Sequence, residues 1–110
     1  MADPTDADIE IAVLTAVFDA RPGSEDVLLG ALSRYVVLTR REPSCRNVDL
    51  VASVTHDGRF LVVEKWDSAA AVQEHFDSAL MTEMAHAAIS ALATNPDIDL
   101  YDSISAHDLD

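Results

Sequence analysis

Phe60-Leu61-Val62-Val63-Glu64-Lys65-Trp66-Asp67-Ser68, continued into the helix-forming residues that end at His75, is the stretch on which the reading of this chain turns. Aliphatic and aromatic residues up to Trp66 read as a strand. Asp67 or Ser68 can cap a helix that begins directly after it. The segment sets a carboxylate (Glu64) and an indole (Trp66) two residues apart, then an imidazole (His75) nine residues further on.

Upstream, Asn47 to Thr55 alternates, with Val48, Leu50, Ala52 and Val54 on one face and Asn47, Asp49, Val51 and Ser53 on the other. His56-Asp57-Gly58 then supplies a turn. Asp-Gly between two strand-like runs predicts a tight hairpin whose two central residues both take positive φ. Before it, Ser24 caps a helix with Glu25 and Asp26 in its first turn, where the helix dipole favours negative charge. Val27, Leu28, Ala31, Leu32, Tyr35 and Leu38 form its apolar stripe. Arg40 and Arg41 fall in its last turn, and Pro43 ends it. Gly30 inside this helix is expected to permit close packing on the sheet. Ile9 to Phe18 is almost wholly apolar and rich in β-branched residues, which predicts a first strand.

Downstream, Ala69 to Phe76 is a short helix with Val72 and Phe76 on one face. Asp77-Ser78 breaks it, and Ser78 caps a second segment from Ala79 to Ala93. Leu80, Met84, Ala87, Ala88, Ala91 and Leu92 form the apolar side of that segment. Asn95-Pro96-Asp97 stops it, and Ile98, Leu100 and Ile104 suggest a last strand with Tyr101 on its other face. The order strand, helix, strand, strand, broken helix, strand gives an α+β fold. It is the split β-α-β pattern of a ferredoxin-like sandwich, with an antiparallel sheet and helices on one side. One domain spans residues 9–105, flanked by an acidic arm (1–8) and an acidic tail (106–110).

Two helical segments cover only one face of a four-stranded sheet, yet the first strand is apolar on both. Leaving the second face in water forfeits about 1.5–3 kcal/mol per large side chain. An obligate homodimer, with the sheets of two protomers packed together, is the expected cover.

The formal net charge is −13, from 20 acidic and 7 basic residues, and Lys65 is the single lysine. So acidic a surface repels phosphate backbones and anionic headgroups, which argues against nucleic acid and membrane as partners. One cysteine, Cys45, makes no internal disulfide. The N-terminus carries three aspartates and no basic residue, unlike a signal peptide. No apolar run approaches the roughly 20 residues that span a bilayer. Together these predict a cytoplasmic protein. No HxxxH, HxH or CxxC spacing points to a metal, and no glycine-rich phosphate loop is present.

Ala20-Arg21-Pro22-Gly23-Ser24, Glu42-Pro43-Ser44-Cys45, Phe60 through Ser68 and His75, in that order and at these spacings, resemble the antibiotic biosynthesis monooxygenase family of dimeric α+β barrels. The resemblance covers roughly Ile9 to Leu100. It implies a cavity between sheet and helices in each protomer. It also implies oxidation of a quinol or polycyclic phenol, a hydrophobic aromatic small molecule, by O2 with no bound cofactor. In that setting His75 takes the phenolic proton and Glu64 orients the imidazole. Trp66 stacks on the substrate, with Tyr35 and Phe76 beside it. The chain departs from the family pattern at several points. Ser44 stands where a glycine is usual. Leu80 stands where quinol-oxidising relatives often have a second histidine. No arginine or lysine follows Lys65, so a late arginine of some pigment-forming members has no counterpart. Ala16, His75 and Met84 stand where the haem-degrading branch has asparagine, tryptophan and histidine, so haem degradation is not expected.

Each candidate also admits a plain structural role. Trp66 can be a core or interface aromatic. Glu64 can pair at the interface, His75 can sit half-exposed, and Tyr35 can be a core residue with its hydroxyl at the rim. Cys45 reads as a small buried hydrophobe, and His56 and His107 suggest no site. A non-catalytic module of the same dimeric fold, binding a small molecule or serving a stress response, is the competing functional reading.

Overall fold

The segment that opens the fold alternates as a half-covered strand should. In β1 (Ala12–Asp19), Ala12, Leu14, Ala16 and Phe18 are buried, while Val13, Thr15, Val17 and Asp19 are only partly covered. A computed structural model describes residues 11–105. Ile9, the acidic arm, the acidic tail and His107 lie outside the described residues. The remaining elements are α1 (Glu25–Thr39), β2 (Cys45–Ala52), β3 (Arg59–Trp66), α2 (Ala69–Phe76), α3 (Ala79–Ala88), a single 3-10 turn (Ile89–Ala91) and β4 (Asp97–Asp102). The strands form one antiparallel sheet in the order β2-β3-β1-β4. The α+β, ferredoxin-like sandwich expected from the sequence is therefore the observed fold.

Register fixes which residues share a face. Leu14 stands opposite Glu64, Ala12 opposite Trp66, and Val48 opposite Glu64 from the other side. These side chains meet the helices. The core runs from Phe18, Phe60 and Val62 through Leu28, Leu32, Tyr35 and Val36 of α1 to Ala88 and Ala91. A second cluster of Ala12, Leu14, Trp66, Ala71 and Val72 seats α2. The opposite face carries Val13, Val17, Leu61 and Val63, partly exposed, with Val51 and Tyr101 about half exposed at 48% and 51%. Among the described residues no helix covers that face.

Several local expectations change, among them that Ser24 makes no side-chain capping bond and that α1 ends at Thr39, before Arg40 and Arg41. The Asp57-Gly58 turn is not a two-residue hairpin with both residues at positive φ. Only Gly58 is there, at 76°. The Ser53 hydroxyl accepts from the backbone N–H groups of Thr55 and His56 at 3.1 and 3.0 Å and rounds the chain into a wider loop. β2 thus ends at Ala52, and Val54 is almost fully exposed. The α1 stripe is rotated from the one expected. Leu28, Leu32, Tyr35, Val36 and Thr39 are buried, but Val27 is 54% exposed. Gly30 does not serve close packing, since a Cβ there meets nothing within 4 Å.

The broken helix is as the sequence indicates, because each half has its own cap. Ser68 accepts from Ala71 N–H at 3.1 Å and Ser78 from Met81 N–H at 3.3 Å. The second half is shorter than expected, giving way to the 3-10 turn after Ala88, and Ala87 is exposed. Backbone bonds from Arg21 to Ala91 and from Ala93 to Asp19, both 2.8 Å, pin the turn to the end of β1. Between the sheet and α3 lies a cavity.

Candidate functional site

The cavity has a volume of about 230 Å³. Leu14, Ala16 and Val62 floor it, and Phe76, Met81 and Met84 roof it. Ile98, Asn95 and Pro96 stand on the β4 side, where the strand is exposed. The lining is apolar except for the Glu64 carboxylate, the Tyr35 hydroxyl and Asn95. Among the described residues that line it, none is cationic. An engineered dry cavity of about 150 Å³ accepts one benzene ring. This one therefore has room for a fused bicyclic skeleton, and flexible methionine walls can yield to a larger one.

Glu64 faces the helices rather than the open face and is 1% exposed. Trp66 Nε1–H donates to its Oε1 at 2.8 Å and the Tyr35 hydroxyl to its Oε2 at 2.6 Å. Burial raises the Glu64 pKa above the usual carboxylate range, and these two hydrogen bonds offset that only in part. The Tyr35 pKa is raised as well, first by burial and then by the adjacent Glu64 charge. Tyr35 is therefore a hydrogen-bonding relay point and not a phenolate.

His75 is buried behind Tyr35. Its Nε2 lies 2.6 Å from the Tyr35 oxygen and 3.9 Å from Glu64 Oε1, so it touches the carboxylate through the phenol. Its Nδ1 lies 3.1 and 3.2 Å from the two oxygens of Glu42. A carboxylate in that position can accept a hydrogen bond from Nδ1. Trp66 packs on the imidazole with ring centroids 4.5 Å apart. Cys45 is nearby, its thiol pKa pushed up to about 11 by burial and by the charges of Glu64 and Glu42. It is thus no nucleophile at neutral pH. The Thr39 hydroxyl, one turn beyond Tyr35, is buried with no partner in bonding geometry among the described residues.

The five candidate residues thus gather in one place but divide into two ranks. Glu64, Tyr35 and Phe76 line the cavity. Trp66 and His75 do not; they lie behind it and border an outer depression of about 310 Å³ with Glu42, Pro43, Ser44 and Glu74. In the sequence Glu42 stands out only as part of Glu42-Pro43-Ser44-Cys45. The signal that could have found it is an acidic residue directly after the helix that carries Tyr35. Among the described residues no group of three or more histidine, cysteine or acidic side chains is placed to hold a metal ion. No helix is long and apolar enough to cross a membrane, among the same residues.

Residues 11–87 match the family model described as antibiotic biosynthesis monooxygenase. No curated protein matches the chain. Among solved structures, a crystal structure of an antibiotic biosynthesis monooxygenase is 24% identical with a TM-score of 0.78, covering 84% of this chain and 98% of that one. A protein of Mycobacterium tuberculosis is 22% identical with a TM-score of 0.82, covering 89% and 99%. A protein of Shewanella oneidensis is 26% identical with a TM-score of 0.79, covering 86% and 92%. These likenesses extend over the whole sheet-and-helix unit.

Proposed function

The chain belongs to the antibiotic biosynthesis monooxygenase family, and from that premise we propose that it is a cofactor-independent monooxygenase acting on a neutral quinol or polycyclic phenol. The single observation that supports this most is the hydrogen-bonded Glu64 carboxylate at the floor of an otherwise apolar cavity. A substrate hydroxyl placed against Glu64 gives up its proton there, and the raised Glu64 pKa makes the carboxylate a better base than an exposed one. The electron-rich anion passes one electron to O2, which reduces the oxygen to superoxide. The radical pair collapses to a C–O bond and a peroxide. The peroxide takes back the proton given up at Glu64, and loss of water, with the hydrogen of the same carbon, leaves a carbonyl. One oxygen atom enters the product and the other leaves as water, so the O2 is fully accounted for. An apolar surround keeps competing water out during these steps. Phe76 and Tyr35 bear on the ring system, while Trp66 and His75 hold the carboxylate and phenol from behind.

The cavity's lack of a cationic lining residue favours neutral substrates over carboxylated or phosphorylated ones. We also propose the homodimer, formed by the open face of Val13, Val17, Leu61 and Val63, and a cytoplasmic location. O2 uptake with hydroquinones and anthrones tests the activity. Wild type is expected to consume O2 above background and Glu64→Gln is not. Equal background rates for both would overturn it. A hydroquinone that raises the melting temperature without any product would instead establish the binding-module reading.

A further inference from the structure

Glu64, Tyr35, His75 and Glu42 form an unbroken hydrogen-bonded line from the cavity to the outer depression, through contacts of 2.6, 2.6 and 3.1 Å. The inner three side chains are buried, whereas the Glu42 side chain is 30% exposed. Each of the three contacts has room for one proton. Two arrangements satisfy that count with the His75–Glu42 bond unchanged. In one, Glu64 is ionised, Tyr35 donates to it, and His75 donates to Tyr35 from Nε2. In the other, Glu64 is protonated and donates to Tyr35, which donates to His75. They contain the same protons and differ only by the shift of two of them. A fourth proton arriving at Glu64 has no contact to occupy until one leaves at the far end.

We propose that this line is a proton relay, with Glu42 as the positioning residue through which a proton passes between the buried site and solvent at the outer depression. The inference rests on Glu64 being the group that meets the substrate proton. When the phenol ionises, its proton enters at Glu64. From the arrangement with Glu64 protonated, its other oxygen takes that proton as one proton shifts outward across each contact, and one leaves His75 Nδ1 for Glu42 and water. The return passage supplies the proton that the peroxide takes up. The substrate enters on the β4 side and the proton leaves on the α2 side, so the cavity stays dry while charge balance is maintained.

Several groups face the relay. Cys45 of β2 and Trp66 of β3 face Glu64 and His75, Glu74 borders the depression, and Arg40 acts on Cys45 from the end of α1. The substrate-free test is magnetic resonance on protein carrying 13C-labelled glutamate and 15N-labelled histidine. The Glu64 carboxyl carbon and the His75 Nε2 nitrogen are expected to change over one shared pH transition. Tyr35→Phe is expected to split it into two. Separate transitions in wild type, unmoved by Tyr35→Phe, would overturn the relay whether or not any quinol is oxidised. In turnover, Glu42→Gln is expected to lower kcat about tenfold. The same variant is expected to leave substrate affinity unchanged and to be rescued by added acetate, while Glu42→Asp retains most of the rate. Wild-type kcat and pH profile in Glu42→Gln would refute the exit role. Should wild type oxidise nothing, the activity reading fails and the resonance experiment alone decides the relay.

Discussion

Tyr35→Phe removes one oxygen atom from the middle of the buried line and little else, which makes its cost calculable. Two buried atoms lose their partner, Glu64 Oε2 and His75 Nε2, both at 2.6 Å from the hydroxyl. A buried polar group left unsatisfied costs about 1–3 kcal/mol. The phenyl ring keeps the apolar contacts of α1, so the expected destabilisation near neutral pH is about 2–5 kcal/mol. For a chain of this length that lowers Tm by roughly 10 °C or more. The pH dependence has a definite sign. The Glu64 pKa is raised in the folded state, so its contribution is fully present below the unfolded glutamate value of about 4.3 and is lost as pH rises through the folded value. The Tyr35 bond is one of the two that hold that rise in check. Without it the folded value moves up again, and the loss of stability extends to higher pH and grows. Urea unfolding of both proteins at fixed concentration, in buffers from acid to alkaline, measures this as a difference curve. A cost under about 0.5 kcal/mol with no change in pH dependence would refute the hydrogen-bonding role assigned to the hydroxyl.

Ala16→Leu places a branched side chain from the sheet floor into the cavity. Stability is expected to stay within about 1.5 kcal/mol of wild type, because empty volume receives the added carbons. The rise in melting temperature caused by a hydroquinone or anthrone should vanish, and an undiminished rise would show that the ligand sits elsewhere. Val63→Lys puts a charge at the centre of the open sheet face, and sedimentation should then report a monomer where wild type is expected to be a dimer. An intact dimer would move the interface off this face. Gly58→Ala introduces a Cβ at φ 76° with ordinary 3.6 Å contacts to Ala20 and Glu25, so strain alone acts. Unfolding should register about 1–2 kcal/mol of destabilisation, and none would mean that the loop relaxes to another turn.

The fold was legible in the sequence because its strong signals agree. Strand alternation around Glu64 and Trp66, two serine caps on the broken helix and the Asp57-Gly58 turn all mark the element order. What escaped is what several solutions satisfy equally. Helix α1 carries apolar residues almost all round (Val27, Leu28, Leu29, Leu32, Val36, Val37), so periodicity alone does not settle the buried stripe. The sheet buries Val36, which the expected stripe lacks, and leaves Val27 exposed. The Asp-Gly pair marked the hairpin, but the Ser53 hydroxyl competed for the backbone donors and widened it.

For the site, the sequence named residues that the fold brings together, and it could not rank them by depth. Glu64 and Trp66, two apart on a strand, point the same way. Which way depends on the helices, and Glu64 proves to line the cavity while the indole lies behind it. Glu42 stayed silent because a loop carboxylate in a chain with 20 acidic residues carries no mark of its own. The disposition of charge argues for chemistry over mere packing. A protein with net charge −13 still buries Glu64 with only a phenol and an indole as hydrogen-bonding partners, and no lysine or arginine beside it. Burying a carboxylate whose nearest potential cation is an imidazole 3.9 Å away is costly, and an apolar residue of similar volume would pack there more favourably. A fold tolerates such a group where its function requires the acid to exchange a proton, and the line through Tyr35 and His75 to Glu42 gives that proton somewhere to go.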